Sequence, residues 1–216
     1  MPQHILYGLP DSVSFEHAAL IEAISIGVHA VRLTPIELGD TAVVVGAGMI
    51  GSLTLQAAKV AGCARVFAVD TNNEKLAMAK RLGATETFNP LECDVAAEIK
   101  KLTGGRGADV ALECVGATDP IKTAIACVRK GGAVTLIGNI TPNIDLPLQQ
   151  VVTREIRLQG TCGSSGEYPA CIELLASGMI QVDPIISAKI SLADSPSYFQ
   201  RLYDGEPGLM KVLVQP

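Results

Sequence analysis

Residues Val43-Val44-Val45-Gly46-Ala47-Gly48-Met49-Ile50-Gly51 constrain this chain more than any other stretch of it. A run of valines suits a buried strand, and residues 52–60, rich in Ala, Leu, Gln and Lys, suit a helix. Three glycines at this spacing between a strand and a helix have separate uses. Gly46 permits a tight turn, Gly48 leaves the backbone bare where a ligand can approach, and Gly51 lets the helix lie close to the strand. The first N–H groups of that helix have no partner within it, and they sit at the positive end of its dipole. A pyrophosphate would be held there. With 21 glycines in 216 residues, the spacing alone would be weak, and the strand–helix context gives it meaning.

The second half of the signature is Asp70, at the end of the next strand-like run and 19 residues beyond Gly51, close to the roughly 20 expected. A carboxylate there accepts hydrogen bonds from both hydroxyls of an adenosine ribose. It repels a 2′-phosphate, and no arginine follows closely enough to neutralise one, so NAD is favoured over NADP. The plainer role for Asp70 is to cap the turn into the following helix. A P-loop needs a Gly-Lys pair, which the chain lacks. The Tyr-x-x-x-Lys pair of short-chain dehydrogenases is also missing, since Tyr7, Tyr168, Tyr198 and Tyr203 are followed four residues later by Asp11, Ile172, Leu202 and Pro207. A methyltransferase, which can also place an acidic residue on a ribose, is a remaining alternative.

Strand-like and helix-like runs alternate along the chain. Strands are expected at 41–45, 65–69, 85–88, 108–114, 133–137 and 156–158. Helices are expected at 15–31, as one or two pieces with Ser14 as a cap, and at 52–60, 73–82, 95–102, 120–128 and 168–176. This order predicts an α/β fold, a doubly wound parallel sheet of the Rossmann type covered on both faces. The composition agrees, with 48% hydrophobic and 4% aromatic residues, because strands buried on both faces read as aliphatic runs. We divide the chain into a leading segment and helix (1–30), a dinucleotide-binding domain (31–165) and a C-terminal helix and return strand (166–216). Residues 4–9 and 209–214 are apolar, strand-like pieces that this pattern does not use.

The formal charge of −5, without a basic cluster, argues against nucleic acid or a membrane surface as partner. No apolar run is long enough to span a bilayer, and the N-terminus does not read as a secretion signal. The six cysteines form no C-x-x-C pair and are expected to be reduced, packed thiols in a cytoplasmic protein. Hydride transfer from an alcohol needs a metal or a base to act on the hydroxyl. His4, His17 and His29 are too few and scattered to supply a ligand set, and His17 and His29 read as ordinary helix residues.

The chain resembles the zinc-type medium-chain alcohol and polyol dehydrogenases, particularly the sorbitol and threonine dehydrogenase-like branch. The resemblance rests on Leu9-Pro10-Asp11 through Ala18-Ala19-Leu20-Ile21-Glu22, on the glycine run, and on Asp70-Thr71-Asn72-Asn73-Glu74-Lys75-Leu76 with Leu82-Gly83-Ala84. Glu113-Cys114-Val115-Gly116 and Lys130-Gly131-Gly132 fit the same pattern. It covers nearly the whole chain but only the family's C-terminal, cofactor-binding part. The GroES-like domain that carries the family's catalytic zinc ligands and structural zinc lobe is not represented in the sequence.

The resemblance implies that Asp70 and Lys75 bind the adenosine ribose and that Ile50 sits by the pyrophosphate. Ile137, Gly138, Asn139, Thr161, Cys162 and Gly163 would lie at the nicotinamide end, although polyol dehydrogenases often have arginine where Gly163 stands. The implied cofactor set is completed by Gly46, Gly48, Met49, Gly51, Thr71, Cys114, Val115 and Gly116. Glu22 matches a glutamate near the family's catalytic zinc, followed here by Ala23 instead of the usual proline. Alone it cannot hold zinc, which wants four ligands.

The expected activity is hydride transfer between a secondary alcohol or polyol and NAD, with zinc only in a full-length relative. The chain alone is expected to bind NAD(H) without turnover. The alternative is a stand-alone NAD-binding or sensing module, or a subunit needing a separate catalytic partner. The two apolar ends are expected to lack a partner within the chain and to pack on another copy, making a homo-oligomer.

Overall fold

The computed structural model describes residues 3–215. Six strands form one parallel sheet in the order β3-β2-β1-β4-β5-β6. They are β1 (Thr41–Val45), β2 (Arg65–Val69), β3 (Glu86–Phe88), β4 (Ala108–Glu113), β5 (Val128–Leu136) and β6 (Arg157–Gly160). Parallel neighbours need crossovers, and helices supply most of them: α3 (Met49–Val60), α4 (Asn73–Arg81), α5 (Val95–Leu102), α6 (Thr118–Cys127) and α7 (Leu148–Thr153). All five residues of β1 are buried. Its side chains alternate between two cores: Ala42 and Val44 face one with Leu53, Leu55 and Leu112, and Val43 and Val45 face the other with Phe67, Ile99 and Ile125. The chain winds outward from β1 in one direction through β2 and β3, then in the other through β4, β5 and β6. The reversal leaves a crevice between the C-terminal ends of β1 and β4, where ligands of open α/β sheets bind.

The leading helices are α1 (Phe15–Ala18), capped by Ser14, and α2 (Ile21–Leu33). After β6 come α8 (Tyr168–Ala176), β7 (Ile186–Ser191), α9 (Ser195–Tyr203) and β8 (Lys211–Gln215). α2 packs through Gly27, where a side chain would come within 3.0 Å of Thr54 on α3.

Three expectations need correction. Residues 4–9 do not make a strand: Gln3–Ile5 is a short 3-10 turn, and the irregular chain beyond it places Tyr7 against Tyr168, with ring centroids 5.8 Å apart. The return strand does have a partner within the chain, because β8 pairs in parallel with β7 and Leu213 is buried. β5 begins at Val128, five residues earlier than expected, since Val128 already pairs with Ala108 before the register shifts past the glycines at 131 and 132.

Candidate functional site

The glycine turn leaves β1 and enters α3 under close constraint. Gly46 has φ +93°, a conformation costly for other residues, and a Cβ there would lie 2.7 Å from Val115 Cγ2. A Cβ on Gly51 would lie 1.7 Å from the Gly46 carbonyl oxygen. At Gly48 nothing lies within 4 Å of that position, so one side of the turn is open. Gly48 is the N-cap of α3 and makes no side-chain cap hydrogen bond. The amides of the first turn of α3, Met49, Ile50 and Gly51, have no carbonyl to meet inside the helix.

Asp70 stands beside this turn at the end of β2. Its Oδ2 accepts from Ala47 N at 2.7 Å and its Oδ1 from Asn72 N at 2.9 Å. The cap of α4 is Asn72, whose Oδ1 accepts from Glu74 N and Lys75 N, and Asp70 Oδ1 holds the turn that leads into this helix. The carboxylate borders a cavity of about 480 Å³ whose walls include Gly46, Val69, Thr71, Lys75, Pro90, Leu91, Val115 and Asp119. A second cavity, about 390 Å³, lies between Gly48, Met49 and Lys75 on one side and the 205–210 loop on the other.

Across the crevice, Glu113 ends β4. Its carbonyl accepts from Ile137 N (2.8 Å) and Gly138 N (3.0 Å). The fully buried carboxylate accepts from Val115 N at 2.7 Å and Gly116 N at 2.9 Å. Burial drives this carboxyl above its usual range, and the two amides only partly offset that. The two loops cross tightly: a Cβ on Gly116 would come within 2.2 Å of Asn139 N, and one on Gly138 within 2.1 Å of Val115 C. Thr161 N donates to Leu136 O (3.1 Å), bringing the start of the 161–163 loop beside 137–139. Thr161 Oγ1 is buried without a hydrogen-bond partner, and Cys162 is exposed.

The implied cofactor residues therefore fall along the C-terminal edge of the sheet, from β2 across β1 and β4 to β6. Asp119, which lines the cavity, and Asn89, buried behind its wall residues Pro90 and Leu91, are residues to which the sequence assigned no role. Their signal was an Asn-Pro pair directly after a strand and an Asp in the first turn of the helix after Gly116.

The glycine cradle, its open side and the free helix amides fit a dinucleotide. Zinc finds no such fit. Among the described residues no three His, Cys, Asp or Glu side chains gather into a metal-holding group, and Glu22 is exposed in the first turn of α2. His17 Nε2 meets Asp183 (2.8 Å), and His29 Nδ1 meets Glu167 (2.9 Å). Burial drives the thiols of Cys63 and Cys171 up to about 11 and that of Cys127 to about 12, which leaves them protonated and unreactive at neutral pH.

A family model described as zinc-binding dehydrogenase matches residues 50–177. The chain belongs to that family. Among its relatives is the sorbitol dehydrogenase of Bacillus subtilis, 35% identical over 217 residues, covering 100% of this chain and 62% of the relative. The crystal structure of 2R,3R-butanediol dehydrogenase from the same organism superposes with a TM-score of 0.90 at 32% identity, covering 97% of this chain and 60% of that one. A zinc-binding dehydrogenase from Sinorhizobium meliloti bound to NADP gives a TM-score of 0.87 at 29% identity, with 97% and 62% covered. The chain thus spans about three-fifths of the length of these dehydrogenases. Among the described residues no helix is long and apolar enough to cross a membrane.

Proposed function

We propose that this chain holds NAD(H) for a zinc-type alcohol or polyol dehydrogenase, whose reaction moves hydride between a secondary alcohol and the nicotinamide. The observation that carries the reading is Asp70, fastened to the glycine turn at Ala47 N and bordering the 480 Å³ cavity. In this reading the adenosine occupies that cavity, with its ribose on Asp70, Thr71 and Lys75. The pyrophosphate crosses Gly46, Gly48, Met49, Ile50 and Gly51, where the α3 amides and dipole favour negative charge. The nicotinamide lies over Cys114, Val115, Gly116, Ile137, Gly138 and Asn139, with Thr161, Cys162 and Gly163 at its far side. When bound, the cofactor supplies the hydride acceptor; these residues bind and orient it. Glu22 alone cannot activate a hydroxyl, so we assign that step to groups other than the residues described here. We further propose a cytoplasmic location, which suits six unpaired cysteines, and a homo-oligomeric state.

The Sinorhizobium relative bound to NADP leaves the choice between the two cofactors to local charge, and here the negative Asp70 disfavours a 2′-phosphate. Titration of the purified chain with NADH and NADPH, followed by ligand fluorescence, tests this. We expect NADH to bind at least about tenfold more tightly, a difference of roughly 1.4 kcal/mol. Equal or tighter NADPH binding would defeat the role given to Asp70.

A further inference from the structure

β3 has only three residues and lies at the sheet edge, so the loop leaving it needs support from elsewhere. Asn89 provides that support. Its side chain is buried, at 7% exposure. Nδ2 faces three acceptors: Thr71 O at 3.1 Å, Asn73 Oδ1 at 3.0 Å and Glu92 Oε1 at 3.1 Å. Oδ1 accepts from Leu91 N at 3.0 Å. Asn73 Nδ2 also donates to Glu92 Oε1, at 2.9 Å, closing a small polar network. One amide thereby ties two segments that line the same cavity: the turn carrying Asp70 and Thr71, and the loop carrying Pro90 and Leu91. Leu91 is 77% exposed, an aliphatic side chain at the cavity edge that a flat aromatic base would cover.

We infer that Asn89 is a positioning residue for adenosine recognition, holding the apolar base-binding loop in register with the ribose-binding turn. This rests on the dinucleotide reading above. The chemistry requires an amide. Aspartate at 89 would keep the acceptor for Leu91 N but set a charged oxygen against three acceptors, so the tie from this loop to Thr71 and Asn73 would open.

The test uses the whole 216-residue chain with three probes, NADH, AMP and reduced nicotinamide mononucleotide, titrated by protein-detected NMR. For Asn89→Asp we expect AMP and NADH affinity to fall by about tenfold or more, the scale of one unsatisfied buried polar group. Reduced nicotinamide mononucleotide, which carries no adenosine, should bind within about twofold of the original chain. Glu92→Ala removes an exposed acceptor from the same network, and a loss of about threefold for AMP alone is expected. Unchanged AMP binding in both variants would overturn the inference, as would equal losses for AMP and the mononucleotide, which would mark general disruption. Should Asn89→Asp fail to fold, the Glu92→Ala result decides. If the unaltered chain binds neither AMP nor NADH, the dinucleotide reading itself falls, and this inference with it.

Discussion

A single methyl group distinguishes the roles of two glycines in the turn after β1. At position 51 it would lie 1.7 Å from the Gly46 carbonyl oxygen, a backbone atom that cannot swing aside, whereas at position 48 it would meet nothing. Gly51→Ala should therefore force α3 away from β1 and destabilise the fold by about 1–3 kcal/mol or more, the usual cost of overpacking. Gly48→Ala should stay within roughly 0.5 kcal/mol of the original chain while weakening NADH, because its methyl group projects from the open side of the turn. Urea denaturation reads the first effect as a lower midpoint, and fluorescence titration reads the second. Equal stability losses at both positions would contradict this division. Glycines 46, 48 and 51 were legible in the sequence because each role depends on the absence of a side chain at one position. Asn89 and Glu113 were not, since their value lies in backbone amides and carbonyls that only the folded loops bring near.

At the scale of elements, α8 and α2 are joined by one buried carboxylate. Glu167, 2% exposed, precedes α8 and meets His29 Nδ1 (2.9 Å), Arg32 Nη1 (3.3 Å) and Ser165 N. Burial acts to raise this carboxyl, but the hydrogen bonds from His29 and Ser165 outweigh it and hold it below the ordinary carboxylate range. A folded-state value below the unfolded one means that the contribution is complete above the unfolded value. It is lost as pH falls through the lowered one. Glu167→Gln should thus cost about 1–3 kcal/mol near neutral pH, and the difference from the original chain should shrink under acid. A thermal-melt series across pH checks it, and a mutational cost that stays constant down to pH 3 would count against it. The pairing of β7 with β8 shows what element reading misses. Ile186–Ser191 has no long apolar run, and its partner begins 20 residues beyond its last residue. A strand of this kind is stabilised by a neighbour that is remote in sequence.

At the scale of the molecule, the expected reason for self-association changes. The C-terminal strand is already paired, so the apolar side chains left uncovered elsewhere matter more. Ile140, Leu148 and Val152, 74%, 61% and 64% exposed, lie on the connection from β5 to the edge strand β6. An open strand edge beside exposed aliphatic residues favours contact between copies. Light scattering should give a mass above the 22.5 kDa of one chain. A mass of one chain at micromolar concentration would refute the oligomer.

The sequence by itself determined the alternation of strands and helices, the parallel sheet and the glycine turn between β1 and α3. Periodicity, glycine and a carboxylate at fixed offset are local properties of a chain. The tertiary structure alone decided where β8 finds its partner and which amide secures the cavity walls, because those depend on contacts between residues far apart in sequence. It also decided that Asp70 serves two turns at once: its Oδ2 meets Ala47 N in the glycine turn and its Oδ1 meets Asn72 N in the turn into α4, while Asn72 caps that helix.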